Sequence, residues 1–73
     1  MDNYLIIAAK ILMDYGISDM VDGMRVQMLA MDITNKPHTV ESLKETSGFL
    51  STVNDINFTD EYLQELIDFH KSM

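Results

Sequence analysis

The amino-acid sequence predicts an all-α fold, a small bundle of four to five short helices with a helix-turn-helix-like middle. Apolar residues recur at intervals of three or four, whereas no stretch alternates apolar and polar residues long enough to indicate a strand. Threonines followed by acidic residues mark two predicted helix starts. The 73 residues suffice for at most one domain, residues 1–73, and the 47% hydrophobic content supports a folded core.

The first helix is predicted from Asp2 or Asn3 to Tyr15, because Asp2 can cap its start and Gly16 favours a stop. This segment is apolar on nearly every side, and such a helix requires burial on more than one face. Its thin polar stripe consists of Asn3, Lys10 and Asp14. Ile7 falls inside that stripe, so its side chain is expected at the surface of an isolated monomer.

The second helix is predicted from Ser18, with Asp19 in its first turn, to about Asp32 or Ile33. Its predicted apolar face, with Leu29 beside it, contains Met20, Val21, Met24, Met28 and Met31. Thioether side chains are flexible and polarizable, so a methionine stripe serves either as ordinary core or as an adaptable binding surface. Gly23 lowers helix propensity by up to ~1 kcal/mol relative to alanine, which leaves a bend or break open near it.

Two further segments complete the bundle. Thr39 is the predicted cap of the third, and Ser47-Gly48 should divide it into two short helices. Thr59 should cap the final helix, with Phe58 stapled onto Leu63. The apolar face of this helix is predicted to contain Leu63, Leu66, Ile67 and His70.

The sequence offers no constellation of residues for catalysis, so an enzyme is not expected. It contains no nucleophile motif and no glycine-rich phosphate loop, and His38 and His70 are expected in structural or solvent-facing positions. The absence of cysteine excludes disulfides and thiolate metal sites. Asp55-x-Asn57-x-Thr59 begins like a calcium loop but lacks the required glycine and glutamate. No cofactor or metal is therefore predicted.

A net charge of −7 disfavours direct nucleic-acid binding and favours either a basic protein partner or simple solubility. Residues 41–54 resemble a helix-turn-helix, but Asp55 stands where a basic backbone contact is expected, so DNA reading is not predicted. The N-terminal apolar run is too short to span a bilayer and lacks the features of a signal peptide. A cytoplasmic location is therefore expected.

Four segments carry a family resemblance through their order and spacing. They are Ala9–Tyr15, Asp19–Asp22 followed by Arg25 and Met28–Met31, Phe49 to Ile56, and Thr59 to Asp68. Together they resemble the AsiA-type anti-sigma factors of T-even bacteriophages. In that family the fold is all-helical, and the first helix serves both homodimer formation and binding to the promoter-reading C-terminal domain of the bacterial primary sigma factor. The resemblance implies a phage-type regulator that inhibits or redirects host transcription.

The resemblance also implies which residues bind the partner. They lie on the first helix, with two methionines next to them: Tyr4, Ala8, Ile11, Leu12, Tyr15, Met28 and Met31. Ile7 joins this set because it falls among polar positions and should be reachable. The chain departs from the family at Asp14, where a basic residue is usual, and in lacking the longer C-terminal tail with any activator contact. A basic helix-turn-helix target suits an acidic chain, and a homodimer is expected for the free protein.

Two other functions stay open on the sequence. The chain can be a helical interaction module or inhibitor whose target is an unrelated host protein, such as a nuclease. It can also be a structural homodimer in which the methionine stripe and the first helix bury each other. Identification of the protein that the chain captures from a bacterial lysate separates these functions.

Overall fold

A computed structural model describes residues 2–53 and 56–73 of the chain. The described residues contain five helices and no strand. The helices are α1 (Asn3–Tyr15), α2 (Met20–Asn35), α3 (Val40–Leu43), α4 (Ser47–Thr52) and α5 (Asp60–Lys71). The predicted all-helical class is confirmed. In the described part of the chain no helix is both long enough and apolar enough to cross a membrane.

Side-chain caps fix the starts of four helices. The hydroxyl oxygens of Thr39 and Thr59 accept hydrogen bonds from backbone N–H groups three residues later, which confirms both predicted caps. In α2 the cap is Asp19 rather than Ser18, because the Asp19 carboxylate accepts the Asp22 N–H at 3.0 Å. Each cap satisfies one of the N–H groups that a helix start leaves without an internal partner.

The break between α3 and α4 lies earlier than Ser47-Gly48. Residues 44–46 separate the two helices, and Thr46 caps α4 by accepting the Phe49 N–H. Gly48 therefore lies inside α4. The two short helices form the helix-turn-helix-like middle, and neither contains a basic residue. Asp55, on which the helix-turn-helix and calcium-loop comparisons partly depend, lies outside the described residues.

Helix α1 ends at a glycine, whereas α2 ends without one. Gly16 terminates α1 as predicted, with a φ of 62° that favours glycine, and the Ile17 N–H donates to the Leu12 carbonyl at 2.9 Å. Helix α2 continues through Gly23 without a break and ends at Asn35, beyond the predicted Asp32 or Ile33. Gly23 is tolerated because the packing of α2 outweighs its lower helix propensity.

A single core lies between α2 and the surrounding elements. Its buried apolar residues are Ile7, Ala8, Ile11, Val26, Leu29, Ala30, Ile33, Leu43, Ile56, Phe58, Leu63, Leu66 and Ile67. Three of the four predicted apolar positions of α5 are buried, and only His70 stays partly exposed. Phe58 contacts the rings of Tyr15 and Tyr62, and it shares the core with Leu63.

Close approach of α4 to α2 depends on Gly48. Its N–H donates to the carboxylate of Asp32 at 2.7 Å, so a side chain of α2 satisfies the start of α4. A Cβ at position 48 would lie 2.6 Å from the Cα of Leu29. Only glycine therefore fits at this crossing, and α4 is held on one side of α2 while the opposite side stays open to solvent.

Candidate protein-binding surface

Helix α2 has two apolar faces that point in roughly opposite directions. The inner face is buried in the core and consists of Val26, Leu29, Ala30 and Ile33. At 3.6 residues per turn, the five outward apolar residues lie on the other side of the helix. We call them the methionine face; their exposed fractions are Met20 81%, Val21 54%, Met24 63%, Met28 44% and Met31 51%.

The sequence predicts these five residues as the apolar face of α2, with Leu29 beside it. It leaves open whether this face belongs to the core or to a binding interface. The structure places Leu29 on the inner face and leaves all four methionines at the surface. Both faces have helical spacing, so spacing alone does not separate them. Branched side chains have fewer rotamers to lose on burial than methionine, and the core of α2 uses them.

The outward side of α1 is also apolar. Leu5 is 37% exposed and Met13 is 82% exposed, and Ala9 lies between them on the same side of the helix. Helix α1 packs against α2 and is joined to it by residues 16–19. The two helices therefore present apolar side chains outward as well as inward.

Three of the predicted partner-binding residues lie in the core. Ile7 and Ile11 have no exposed surface, and Ala8 is 3% exposed. The expectation that Ile7 is reachable at the surface is wrong. The polar stripe of α1 is not a free solvent face, because Lys10 and Asp14 extend from it to contact residues of α5. Ile7 is covered although its neighbours on that side are polar.

The other predicted binding residues occupy several environments. Tyr4 and Leu12 are half-buried and pack against the core. Tyr15 is 37% exposed, but its ring contacts Phe58 and Tyr62 edge-on, with centroid distances of 5.1 and 5.0 Å. Met28 and Met31 lie side by side on the methionine face. The structure therefore does not bring the predicted set together on one exposed surface.

Lys10 links α1 to α5. Its Nζ lies 2.8 Å from a Glu65 oxygen and 2.9 Å from an Asp14 oxygen, and the Tyr62 hydroxyl donates to Asp14 at 2.8 Å. The ammonium also lies 5.5 Å from the centre of the Phe69 ring and 5.8 Å from that of Tyr62. Asp14, the position that departs from the family pattern, is therefore engaged within the chain.

These contacts shift the acid–base equilibria of the groups involved. Hydrogen bonds from Lys10 and then Tyr62 lower the pKa of Asp14, and those to Glu65 and then Asp14 raise the pKa of Lys10. Burial, followed by the hydrogen bond to Asp14, raises the pKa of Tyr62. All three shifts favour the charge states that hold α1 and α5 together. The cluster thus links α1 to α5 through an ion pair and a hydrogen bond.

A cavity of about 290 Å³ lies at the C-terminal ends of α2 and α5, with Ile33 and Ile67 among its lining residues. His38 also lines it, but its Nε2 donates to the Asp32 carbonyl at 3.0 Å and its Nδ1 lies 2.9 Å from the Ser42 hydroxyl. Both ring nitrogens are thus engaged in structural contacts. The described residues contain no group of three or more side chains able to hold a metal ion.

Comparison with known proteins gives no relative of this chain: no family model, no curated protein and no solved structure matches it. The exposed methionine face, the net charge of −7 and the resemblance in the sequence are therefore the observations on which a proposed function rests.

Proposed function

We propose that this protein is a small helical regulator that binds another protein through the methionine face and the outward residues of α1. One observation carries the proposal: five apolar side chains on one face of α2 are between 44% and 81% exposed. Contiguous exposed apolar patches on small proteins mark interaction sites more often than scattered apolar residues do. Covering these side chains with a partner removes them from water and favours association.

Methionine suits this role. Its three rotatable bonds and polarizable sulfur allow one surface to adapt to the shape of a partner. The described methionines all lie at the surface of the protein, and the core of residues 2–53 and 56–73 is built from other side chains. The residues that hold the fold are thus separate from those proposed to bind, so the binding surface can change without loss of the core.

The C-terminal domain of a bacterial primary sigma factor is the proposed partner. The order of segments in the sequence supports it, as does the charge of −7, which favours association with a basic helix-turn-helix domain. In this proposal the protein acts in the cytoplasm of a bacterial host and inhibits or redirects transcription. The binding residues differ from the initial set, because Met28 and Met31 are retained whereas Ile7, Ala8 and Ile11 support the fold.

A homodimer is a second candidate, favoured by the outward apolar residues on both α1 and α2. In this dimer the exposed Leu5 and Met13 of one copy pack against the methionine face of another. Sedimentation equilibrium of the free protein measures this directly. If the dimer dissociates when the sigma domain is added, the protein is a dimer when free and also binds the domain. If the dimer does not bind the domain, the structural role is supported.

Calorimetric titration of the purified sigma domain into the protein tests the leading proposal. We expect binding by the wild type, and weaker binding by a variant with both Met24→Gln and Met28→Gln, because the amides lose hydration at the interface. Met73→Gln is the matched control, since Met73 is 46% exposed but does not belong to the methionine face. Absence of binding by the wild type rejects the sigma assignment.

A further inference from the structure

The cavity at the C-terminal ends of α2 and α5 joins an apolar wall to basic side chains. Its volume is about 290 Å³; Ile33 and Ile67 form part of the wall, and Lys36, His70 and Lys71 lie around it. None of the described residues that line it is acidic, although the chain has 12 aspartates and glutamates. The cavity is therefore a basic region of an acidic protein.

The two lysines of this cavity differ from the other basic residues of the chain. Lys10, Arg25 and Lys44 each pair with a carboxylate. Lys36 and Lys71 are exposed, and neither forms an ion pair with any of the acidic residues that the structure describes. Because their ammonium groups are not engaged in this way, they can pair with an anion without first breaking an ion pair inside the protein.

The backbone carbonyls at the two helix ends would by themselves favour a cation. In α5, however, the N–H groups of Ser72 and Met73 donate to carbonyls of the last turn. Near the end of α2, the Thr34 hydroxyl donates to the Met31 carbonyl at 3.1 Å, and His38 donates to another carbonyl of that helix at 3.0 Å. These donors offset part of the negative field of the carbonyls, so the two lysine ammonium groups set the charge preference of the cavity.

We propose that this cavity binds a small carboxylate with an apolar body, such as a medium-chain fatty acid. The hydrocarbon lies against Ile33 and Ile67, where burial removes it from water, and the carboxylate lies at the ammonium groups of Lys36 and Lys71. Ligand pockets commonly combine apolar walls with a few charged groups that orient the ligand. The inference goes beyond the proposed function and does not rest on it, because no residue of the methionine face lines the cavity.

Size and helix polarity narrow the class of ligand. At ~30 Å³ per water molecule, the cavity has the volume of roughly ten waters, which suits a ligand of about ten non-hydrogen atoms, the size of octanoate. A phosphate is less well matched, because phosphate sites at helix ends use the backbone N–H groups of N-termini, whereas both helix ends here are C-terminal. A carboxylate has a single charge and two oxygens and requires fewer donors.

Three ligands with eight carbons and different polar groups test the inference: octanoate, 1-octanol and octylamine. Each is titrated, below the concentration at which it aggregates, into the full chain labelled with nitrogen-15. We expect octanoate to bind about fivefold more tightly than 1-octanol at low salt and at least about tenfold more tightly than octylamine, with smaller differences at high salt. Hexanoate, which is two methylenes shorter, should bind about tenfold more weakly than octanoate.

The backbone amide signals locate the ligand on the protein. Those of Thr34, His70 and Lys71 should shift and saturate on addition of octanoate, because these residues line the cavity. Those of Met20 and Met24 should stay unchanged, because they belong to the methionine face. This contrast separates binding in the cavity from general adsorption to exposed apolar side chains.

A pair of lysine substitutions tests the role of charge. Lys36→Gln with Lys71→Gln should weaken octanoate by about fivefold, to the affinity of 1-octanol, and should leave the binding of 1-octanol unchanged. Arg25→Gln with Lys44→Gln is the matched control, since it changes the net charge equally at residues that do not line the cavity. It should bind octanoate within about twofold of the wild type, because salt screens distant charges. Thermal melting followed by circular dichroism confirms that each variant is folded.

Five results would overturn the inference. Absence of saturable octanoate binding removes the site, and equal affinity for octanoate and octylamine removes the preference for an anion. Wild-type octanoate affinity in the Lys36→Gln, Lys71→Gln variant shows that these lysines do not hold the carboxylate. Shifts confined to the methionine face move the ligand to that surface. Tighter binding of octyl phosphate than of octanoate assigns the cavity to a phosphate instead.

Discussion

Both faces of α2 are apolar, but only one of them is buried. The inner face contains valine, leucine, alanine and isoleucine, all at most 2% exposed, whereas the outer face contains valine and four methionines that are largely exposed. Burying a methionine side chain costs about 1.5–2 kcal/mol of rotamer entropy, against about 0.5–1 kcal/mol for leucine or isoleucine. Stiff side chains therefore suit a permanent core, and flexible ones suit a surface that is covered only when a partner binds.

Helix α1 shows the same division. Ile7 and Ile11 fill the core, while Leu5 and Met13 point outward. Helix α1, which is apolar on nearly every side, is therefore not fully surrounded in this small domain. Substitutions on the inner and outer sides of these helices should therefore differ in their effect on stability.

Ile7→Asp should have the largest effect, because it places a carboxylate on the inner face of α1. A buried charge without a partner costs several kcal/mol, comparable with the ~5 kcal/mol stability of a small domain. We expect loss of the helical circular dichroism signal at 25 °C. Leu5→Asp, on the outward side of α1, is the control and should stay folded. A cooperative, wild-type-like melt of Ile7→Asp would contradict the core position of Ile7.

Paired alanine substitutions compare the two faces of α2 directly. Leu29→Ala removes a fully buried side chain and should reduce the free energy of unfolding by about 2–5 kcal/mol. Met28→Ala, one residue away on the outer face, should change it by less than about 0.5 kcal/mol. Urea denaturation of both variants measures the difference. Similar losses for the two would mean that Met28 supports the fold as Leu29 does.

Replacing the two helical glycines, Gly23 and Gly48, by alanine should change the free energy of unfolding in opposite directions. Gly48→Ala meets the backbone of Leu29 and should lower the free energy of unfolding by about 1–3 kcal/mol. Gly23→Ala meets nothing within 4 Å and should raise it by up to about 1 kcal/mol, through better helix propensity. Thermal melts of the two variants report the signs, and stabilisation by Gly48→Ala would show that α4 can move away from α2.

The smallest effect concerns Asp14, which joins α1 to α5. Contacts with Lys10 and Tyr62 lower its pKa from the usual 3.8, so its ionised form stabilises the fold above that pH. That contribution is lost as the pH falls through the lowered pKa. Wild type should therefore exceed Asp14→Asn in melting temperature at neutral pH, and the gap should close in acid. A gap that persists in strong acid, or that salt does not reduce, would point to packing instead of charge.

Helix positions followed from local chemistry. Thr39, Thr59 and Gly16 act through hydrogen bonds or backbone conformation within a few residues, so the sequence reveals them. The cap of α2 lies one residue later than predicted. Ser18 and Asp19 are both able to cap a helix, and only the packing of the chain decides between them. Local signals of this kind define where a helix begins but not which side of it is buried.

The direction of the apolar faces did not follow from local chemistry. Ile7 lies among polar residues in the helical pattern, yet Lys10 extends across the rings of Tyr62 and Phe69 and keeps its charge at the edge of the core. That arrangement depends on α5, which is distant in sequence. A usable signal did exist in α2, because all four methionines lie on one face and none lies on the other.

The contact between α1 and α5 has a consequence for synthesis of the chain. Tyr62 and Asp14 are 48 residues apart, whereas only residues 16–19 separate α1 from α2. On the ribosome, α1 and α2 can pair soon after they emerge, but the inner side of α1 is incomplete until α5 follows. Until then the nascent pair exposes apolar residues on both sides, inner and outer. This interval, set by a long-range contact, is when the chain is most prone to aggregate or to engage a chaperone.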